Sequence, residues 1–292
     1  MKQDRPEVNT YRISHRLAPS APRVLVGLCA VAFALASPAA FAQGRLDARY
    51  EATLSGIPVG SGGWTIDISD DQFSASAFGG TAGILKSFAS GSGTTAAQGR
   101  VVNGAPVSSN YSASTTTSKK TEAIHMVLAN GTVKEYGIDP VPPVDPDRLP
   151  VTEAHRRGVF DPMTGAMLRV PGTADPLSPE ACHSGAAIFD GRMRYDLKLD
   201  FKRMETVKAE KGYRGPVVVC AVYFSPVAGY IPDRAVIKYL TAQRNIEIAF
   251  APVAGTRILV PFWMKIPTPL GPAMLEATQF ITTASPRVAK TN

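Results

Sequence analysis

From Met193 to Lys202 apolar and charged side chains alternate without a break. Met193, Tyr195, Leu197, Leu199 and Phe201 fall on one side, and Arg192, Arg194, Asp196, Lys198, Asp200 and Lys202 on the other. A period of two is that of a strand with one dry and one wet face; on a helix the same apolar residues would spread round the whole circumference. Asp190-Gly191 supplies a tight turn ahead of it, so the unit is one arm of a hairpin. A strand of this kind needs partners for its backbone N–H and C=O groups, so the rest of the chain must supply a sheet.

The same period recurs on both sides. Leu46, Ala48, Tyr50, Ala52 and Leu54 share a face before a turn at Ser55-Gly56-Ile57-Pro58. Gly60 to Gly63 permits a bend or bulge, then Trp64, Ile66 and Ile68 alternate, Asp70-Asp71 turns, and Phe73, Ala75 and Ala77 return. Residues 79–99 are rich in Gly, Ser, Ala and Thr, with an apolar interruption whose Phe88 is expected in a strand; Gly99-Arg100-Val101-Val102 follows. Asn103-Gly104 and Asn130-Gly131 are hairpin turns, flanking Tyr111, Ala113, Thr115 and then Ile124, Met126, Leu128; Val133 and Glu135 begin the return. Five prolines in residues 139–150 exclude a helix or central strand and give an extended connector.

Beyond the connector, Asp161-Pro162 marks a short helix with Asp161 as cap, and Ser178-Pro179 a second short turn. Val217 to Phe224 is apolar throughout, β-branched and bounded by Gly and Pro, which predicts a strand buried on both faces. Gly212 to Gly215 is expected to turn the chain before it, and a helix capped by Asp233 to run to Gln243 after it. Ile246, Ile248, Phe250 and then Ile258, Val260, Phe262, Met264, Ile266 alternate. The final strand places Met274, Glu276, Thr278 and Phe280 on one face and Leu275, Ala277, Gln279 and Ile281 on the other. The expected fold is all-β: one large, strongly curved antiparallel sheet of about a dozen strands, a half-open barrel with one or two short helices at its mouth. It occupies residues 43–284 as a single domain, followed by a loose tail at 285–292.

Residues 1–42 read as a secretory signal: Lys2, Arg5, Arg12, Arg16 and Arg23, an apolar run from Val24 to Ala36, and Ala40-Phe41-Ala42 as cleavage site. The apolar run is shorter than the roughly 20 residues of a membrane-spanning helix, so no transmembrane anchor is expected in the mature form. Loss of the signal removes five basic and two acidic residues, and the net charge of +7 falls by three, to a mildly basic +4. Export and this modest charge argue against a nucleic-acid partner. Cys29 leaves with the signal; Cys182 and Cys220, 38 positions apart, remain as an even pair. In an oxidising compartment such a pair is a structural disulfide rather than a closely spaced redox motif. The mature protein is expected in the periplasm.

Catalytic motifs are missing. There is no Gly-x-Ser-x-Gly, His-Glu-x-x-His, phosphate loop or Cys-x-x-Cys. His125, His155 and His183 are not spaced as metal ligands, so neither metal nor cofactor is expected. Thr116 with Lys119, and Thr117 with Lys120, match a nucleophile–lysine pair by spacing only, in a Thr-rich strand rather than at a helix start. Asn110 and Asn130 begin glycosylation-type tripeptides, the second better explained as turn chemistry. Arg192, Arg194, Lys198 and Lys202, with Arg203, form a basic stripe: a solvated face with cross-strand pairs or, on the sharper reading, a docking face for acidic polymer or head groups.

Asp161-Pro162-Met163-Thr164, Phe189 to Leu197, the Cys182/Cys220 pair, Gly229-Tyr230-Ile231-Pro232-Asp233-Arg234 and Ile266-Pro267-Thr268-Pro269-Leu270-Gly271 together resemble an exported Gram-negative family known as a domain of unknown function. The resemblance covers about Leu46 to Phe280 and is most specific at the hairpin with its flanking cysteines. It implies a curled β-spiral or broken barrel related to envelope-integrity proteins, and it carries over no catalytic residue. The expected function is non-enzymatic: cell-envelope homeostasis through binding a protein partner, a lipid or a glycolipid on the curved sheet. The alternatives are a cell-wall or lipid-directed hydrolase or transferase using His155, Asp161 or His183, and a periplasmic chaperone for outer-membrane proteins.

Overall fold

The computed structural model describes residues 43–83 and 90–284. The segment read as a secretory signal with Cys29, the strand expected at Phe88 and the expected tail lie outside the described residues. Seven strands form a meander in which each pairs antiparallel with the next: β1 (Gly44–Leu54), β2 (Ile57–Ile68), β3 (Gln72–Thr81), β4 (Gly91–Val102), β5 (Ala105–Thr117), β6 (Thr121–Ala129) and β7 (Thr132–Asp139). The second half contributes β8 (Leu168–Arg169), β9 (Gly185–Phe189), β10 (Arg194–Lys208), β11 (Lys211–Gly212), β12 (Arg214–Ala228), β13 (Ile246–Pro252), β14 (Ile258–Ile266) and β15 (Ala273–Ala284). Two short helices, α1 (Pro162–Gly165) and α2 (Ala235–Ala242), complete the structure together with 3-10 turns.

All fifteen strands belong to one sheet, in the order β7-β6-β5-β4-β3-β2-β1-β15-β14-β13-β12-β10-β9, with β11 on β15 and β8 on β14. The first and last strands pair in the middle, and the free edges are β7 and β9. These edges meet. The ring of Tyr136 on β7 stands edge-on to Phe189 on β9, 5.4 Å between centroids. Arg192, after β9, pairs with Glu122 on β6. A sheet this wide whose opposite ends touch is curled through most of a circle. The ladder itself does not close. Residues 157–160 span the seam: Val159 N–H donates to Gly131 O, Phe160 N–H to Ala187 O, and Phe189 N–H to Phe160 O. The all-β, half-open barrel read from the periodicity is the observed architecture.

Turn chemistry follows the sequence closely. Asn103-Gly104 and Asn130-Gly131 have positive φ at both residues, the backbone that a two-residue hairpin needs. The core gathers Leu46, Ile66, Met126, Phe189, Phe262 and Phe280, all essentially inaccessible to solvent. A smaller cluster joins Val218, Cys220, Phe250 and Leu259 to Val170 and Cys182. Cys182 and Cys220 are disulfide-bonded, with Cα atoms 5.6 Å apart. Val217 to Val222 are buried on both faces, as their composition requires.

Four expectations are corrected. The alternation does not run unbroken through Lys202: Phe201 pairs with Cys220 and Arg203 with Val219, so Lys202 is an extra residue, and Phe201 and Met204 are both exposed. The last strand carries a similar irregularity. Arg49 faces Gln279 and Tyr50 faces Ala277, and the skipped Thr278 lets Ala277 and Phe280 both be buried. Asp233 does not cap α2; its N-cap is Arg234 without a side-chain hydrogen bond, and Asp233 instead pairs with Lys238 at 2.8 Å. Residues 211–212 are not turn but β11, which lies parallel on β15 beside Gln279 and Phe280, while Glu210 and its neighbours make the turn.

Candidate functional site

The site is built around residues 160–169. Asp161 is fully buried, and its Oδ1 accepts from the N–H groups of Met163 at 3.0 Å and Thr164 at 2.9 Å. Pro162 fills the next position, where the missing N–H costs nothing. After this single turn the chain straightens into β8, where Leu168 and Arg169 pair with Leu259 and Ile258. The capped turn thus sends the chain across the inside of the barrel, with α1 packed on β4, β5 and β9. Met163 and Met167 join the main core.

Residues 160–169 fill only part of the concavity. Between them and the strands β10, β12, β13, β14 and β15 lies a partly enclosed cavity of about 540 Å³. Strand register sets its far wall: Leu199, Val222 and Ile246 stand in one cross-strand row, and Ile248, Met264 and Leu275 in the next. Leu240 of α2 and Pro106 after the β4–β5 turn also contribute to the lining. Tyr239 anchors α2 through a hydrogen bond from its hydroxyl to Pro267 O, 3.0 Å. The volume lies within the roughly 300–1,000 Å³ typical of small-molecule sites, and the lining is overwhelmingly apolar, as such sites are.

The few polar groups of the lining are unusual. Thr164 is 2% exposed, and its hydroxyl has no hydrogen-bond partner. Arg169 is the charged side chain among the lining residues; its Nε is buried and likewise unpartnered. Arg257, close by in the chain pairing, contrasts with it: its guanidinium donates to the carbonyls of Val170, Pro171 and Ala174. The Tyr195 hydroxyl, at one side of the cavity, is pushed well above its ordinary pKa by burial and, secondarily, by Asp190 and Tyr111. It stays protonated at physiological pH. The chemistry offered is a long greasy surface with one fixed positive charge.

The residues weighed for hydrolysis are not brought together. His155 sits in a 3-10 turn, where its Nδ1 accepts from Thr152 N–H at 3.1 Å. His183 is exposed just after the disulfide, and Asp161 spends its Oδ1 on the helix cap. Among the described residues no hydrogen bond or ion pair joins any two of these three. Thr117 closes a turn, its Oγ1 accepting from the N–H groups of Lys119 and Lys120. His125 is exposed on β6 and lies over Gly137, where a Cβ would strike its ring.

The basic stripe is matched by carboxylates. Arg192 pairs with Glu122, Arg194 with Asp196 at 2.8 Å, Lys198 with Asp200 at 3.1 Å, and Lys202 and Arg203 both with Glu247. Burial works against ionisation of Glu247, yet the two cations outweigh it and hold the carboxyl below its usual range. The sequence reading gave Arg169 no role and named Thr164 only within the Asp161-Pro162-Met163-Thr164 pattern. Each becomes notable as a polar group only where the chain crosses the cavity.

No curated protein matches the chain. Among solved structures, it is similar to a crystal structure described as a β-barrel-like protein of the domain of unknown function DUF1849 from Brucella abortus, with 10% identity and a TM-score of 0.42, over 83% of this chain and 98% of that one. A family model described as Protein of unknown function (DUF3108) matches residues 49–278, nearly the whole of the sheet. The chain belongs to that DUF3108 family.

Proposed function

We propose that this protein is an exported, periplasmic binding protein that supports the cell envelope by holding the apolar part of an amphipathic envelope molecule inside its curled sheet. The observation that carries the reading is the partly enclosed apolar cavity of about 540 Å³ left between residues 160–169 and the strands from β10 to β15. Every methylene moved from water into such a space is worth about 0.8 kcal/mol, so a single acyl chain gains enough to offset its ordering. Two features support export. Cys182 and Cys220 form a bridge within an apolar cluster, the arrangement of an oxidising compartment. Residues 1–42 have the composition of a cleavable signal. Among the described residues no helix is long and apolar enough to cross a membrane.

The test is native mass spectrometry of the protein purified without detergent from a Gram-negative envelope, followed by solvent extraction. The expected result is an extractable lipid-sized adduct, and its loss in a Val222→Trp variant that fills the cavity while keeping the far-ultraviolet spectrum. A protein that carries no adduct and binds no added amphiphile refutes the reading. If deletion of the gene leaves detergent sensitivity unchanged, the envelope role fails.

A further inference from the structure

We infer that the cavity selects a single-chain amphiphile with an anionic head, and that Arg169 is the residue that binds that head; this rests on the cavity reading above and adds the charge and orientation of the occupant. A guanidinium N–H that is buried needs an acceptor. Arginine stays ionised in proteins, and a buried donor on it left without an acceptor costs more than a neutral one. Arg169 Nε is buried without a partner, and among the described residues no carboxylate lies within ion-pair distance of its side chain. Six other arginines, Arg45, Arg49, Arg157, Arg192, Arg194 and Arg203, each have a carboxylate; Arg156 shares a buried, unpartnered Nε but lies over the Tyr136 ring, so what sets Arg169 apart is that it lines the cavity.

Arg169 is held by backbone pairing with Ile258, and its Nε lies beside the Asn103-Gly104 turn, 3.7 Å from where a Gly104 Cβ would stand. Ala105 and Pro106, just beyond that turn, line the cavity. The guanidinium therefore stands where a head group would rest while the chain lies along Leu199, Val222, Ile246 and Ile248. A planar fork of donors fits a carboxylate or a phosphate monoester by paired hydrogen bonds. Thr164 is a second sign that a polar ligand atom belongs inside: the residue lines the same cavity and is 2% exposed, and its buried hydroxyl has no protein partner.

The test is calorimetric titration of delipidated protein with palmitate, cetyl phosphate and cetyl alcohol, with acetate and inorganic phosphate as free-anion arms. A charge-assisted pair of about 1.5–3 kcal/mol predicts that an anionic chain binds about tenfold to a hundredfold tighter than the alcohol. Arg169→Met is expected to abolish that preference while leaving alcohol binding intact, which also reports that the variant is folded; Arg169→Lys is expected to retain part of it. The relative affinities of palmitate and cetyl phosphate identify the head. Equal binding of alcohol and anions by the wild type, or an unchanged preference in Arg169→Met, overturns the role of Arg169 and leaves the cavity reading standing. Binding of acetate or phosphate as tight as that of palmitate overturns the amphiphile in favour of a free anion. No binding of any chain overturns both.

Discussion

Gly229 rests directly on the carbonyl of Arg192, so that a Cβ added to Gly229 would overlap that oxygen, and its φ of +76° is one that L side chains rarely adopt. The contact locks two distant segments. Gly229 N–H donates to Leu149 O at 2.9 Å, and the Arg148 guanidinium donates to Gly229 O, which ties the proline-rich connector to the hairpin turn at Gly191.

Replacing Gly229 therefore tests that lock. Gly229→Ala combines left-handed strain of about 1–2 kcal/mol with a backbone overlap that cannot be relieved by a rotamer, and is expected to cost about 3 kcal/mol or more. Gly158→Ala is the control: its φ is +65°, but nothing lies within 4 Å of its Cβ, so only the strain remains. Urea unfolding of the two variants should separate them clearly, and equal losses would show that the Arg192 contact contributes nothing.

The disulfide closes a loop of 38 residues between Cys182 and Cys220. The chain-entropy treatment puts its stabilisation at about 4 kcal/mol. The Cys182→Ala, Cys220→Ala double variant is expected to lose most of that, read as a lower denaturation midpoint. Wild type treated with reductant should move to the same midpoint.

Asp161 is the cap that turns the chain into the barrel. Asp161→Ala leaves the N–H groups of Met163 and Thr164 buried without an acceptor and is expected to lose about 2 kcal/mol, the upper end for a cap. Asp161→Asn keeps an oxygen at the same place and should lose much less. Binding of a hydrophobic dye to Asp161→Ala should rise as α1 detaches from β4, β5 and β9.

Asp190 makes stability depend on pH. Burial raises its carboxyl above the ordinary range, even though its Oδ1 accepts from Arg192 N–H at 2.8 Å and Met193 N–H at 2.7 Å. The folded form thus holds its proton to higher pH than the unfolded chain, whose value is about 3.9. Stability from this group is fully present below that value and falls as pH rises through the raised folded value. Asp190→Asn, which keeps the acceptor oxygen, is expected to be more stable than wild type at neutral pH and equal to it in acid. Chemical denaturation across that range measures it; a constant difference would refute the assignment.

Much of this barrel could be read from residue order because its turns are chemically explicit. Asn103-Gly104, Asn130-Gly131 and Asp161-Pro162 specify their own backbone, and each stands where it should. The bulge beside Gly60 is announced by its glycines, but two others could not be read. Lys202 and Thr278 look like ordinary members of an alternation, but each is an extra residue that inverts which faces point inward thereafter. β4 was seen only at its end, since Gly91 to Ala97 lack the branched and aromatic side chains that announce a strand; its neighbours β3 and β5 hold it. The cavity was invisible for a different reason. Its far wall is a set of rows across five strands, and its charge comes from Arg169, which nothing in its flanking residues distinguishes.

The span at 157–160 has a mechanical meaning. Elsewhere round the wall, neighbouring strands are laced by ladders interrupted only by bulges, whereas here a few backbone bonds at Gly131, Ala187 and Phe160 fasten the two hems. The girth of the molecule is therefore set at one clasp. Amide exchange should begin at Val159 and Phe160 before it reaches the middle of the wall.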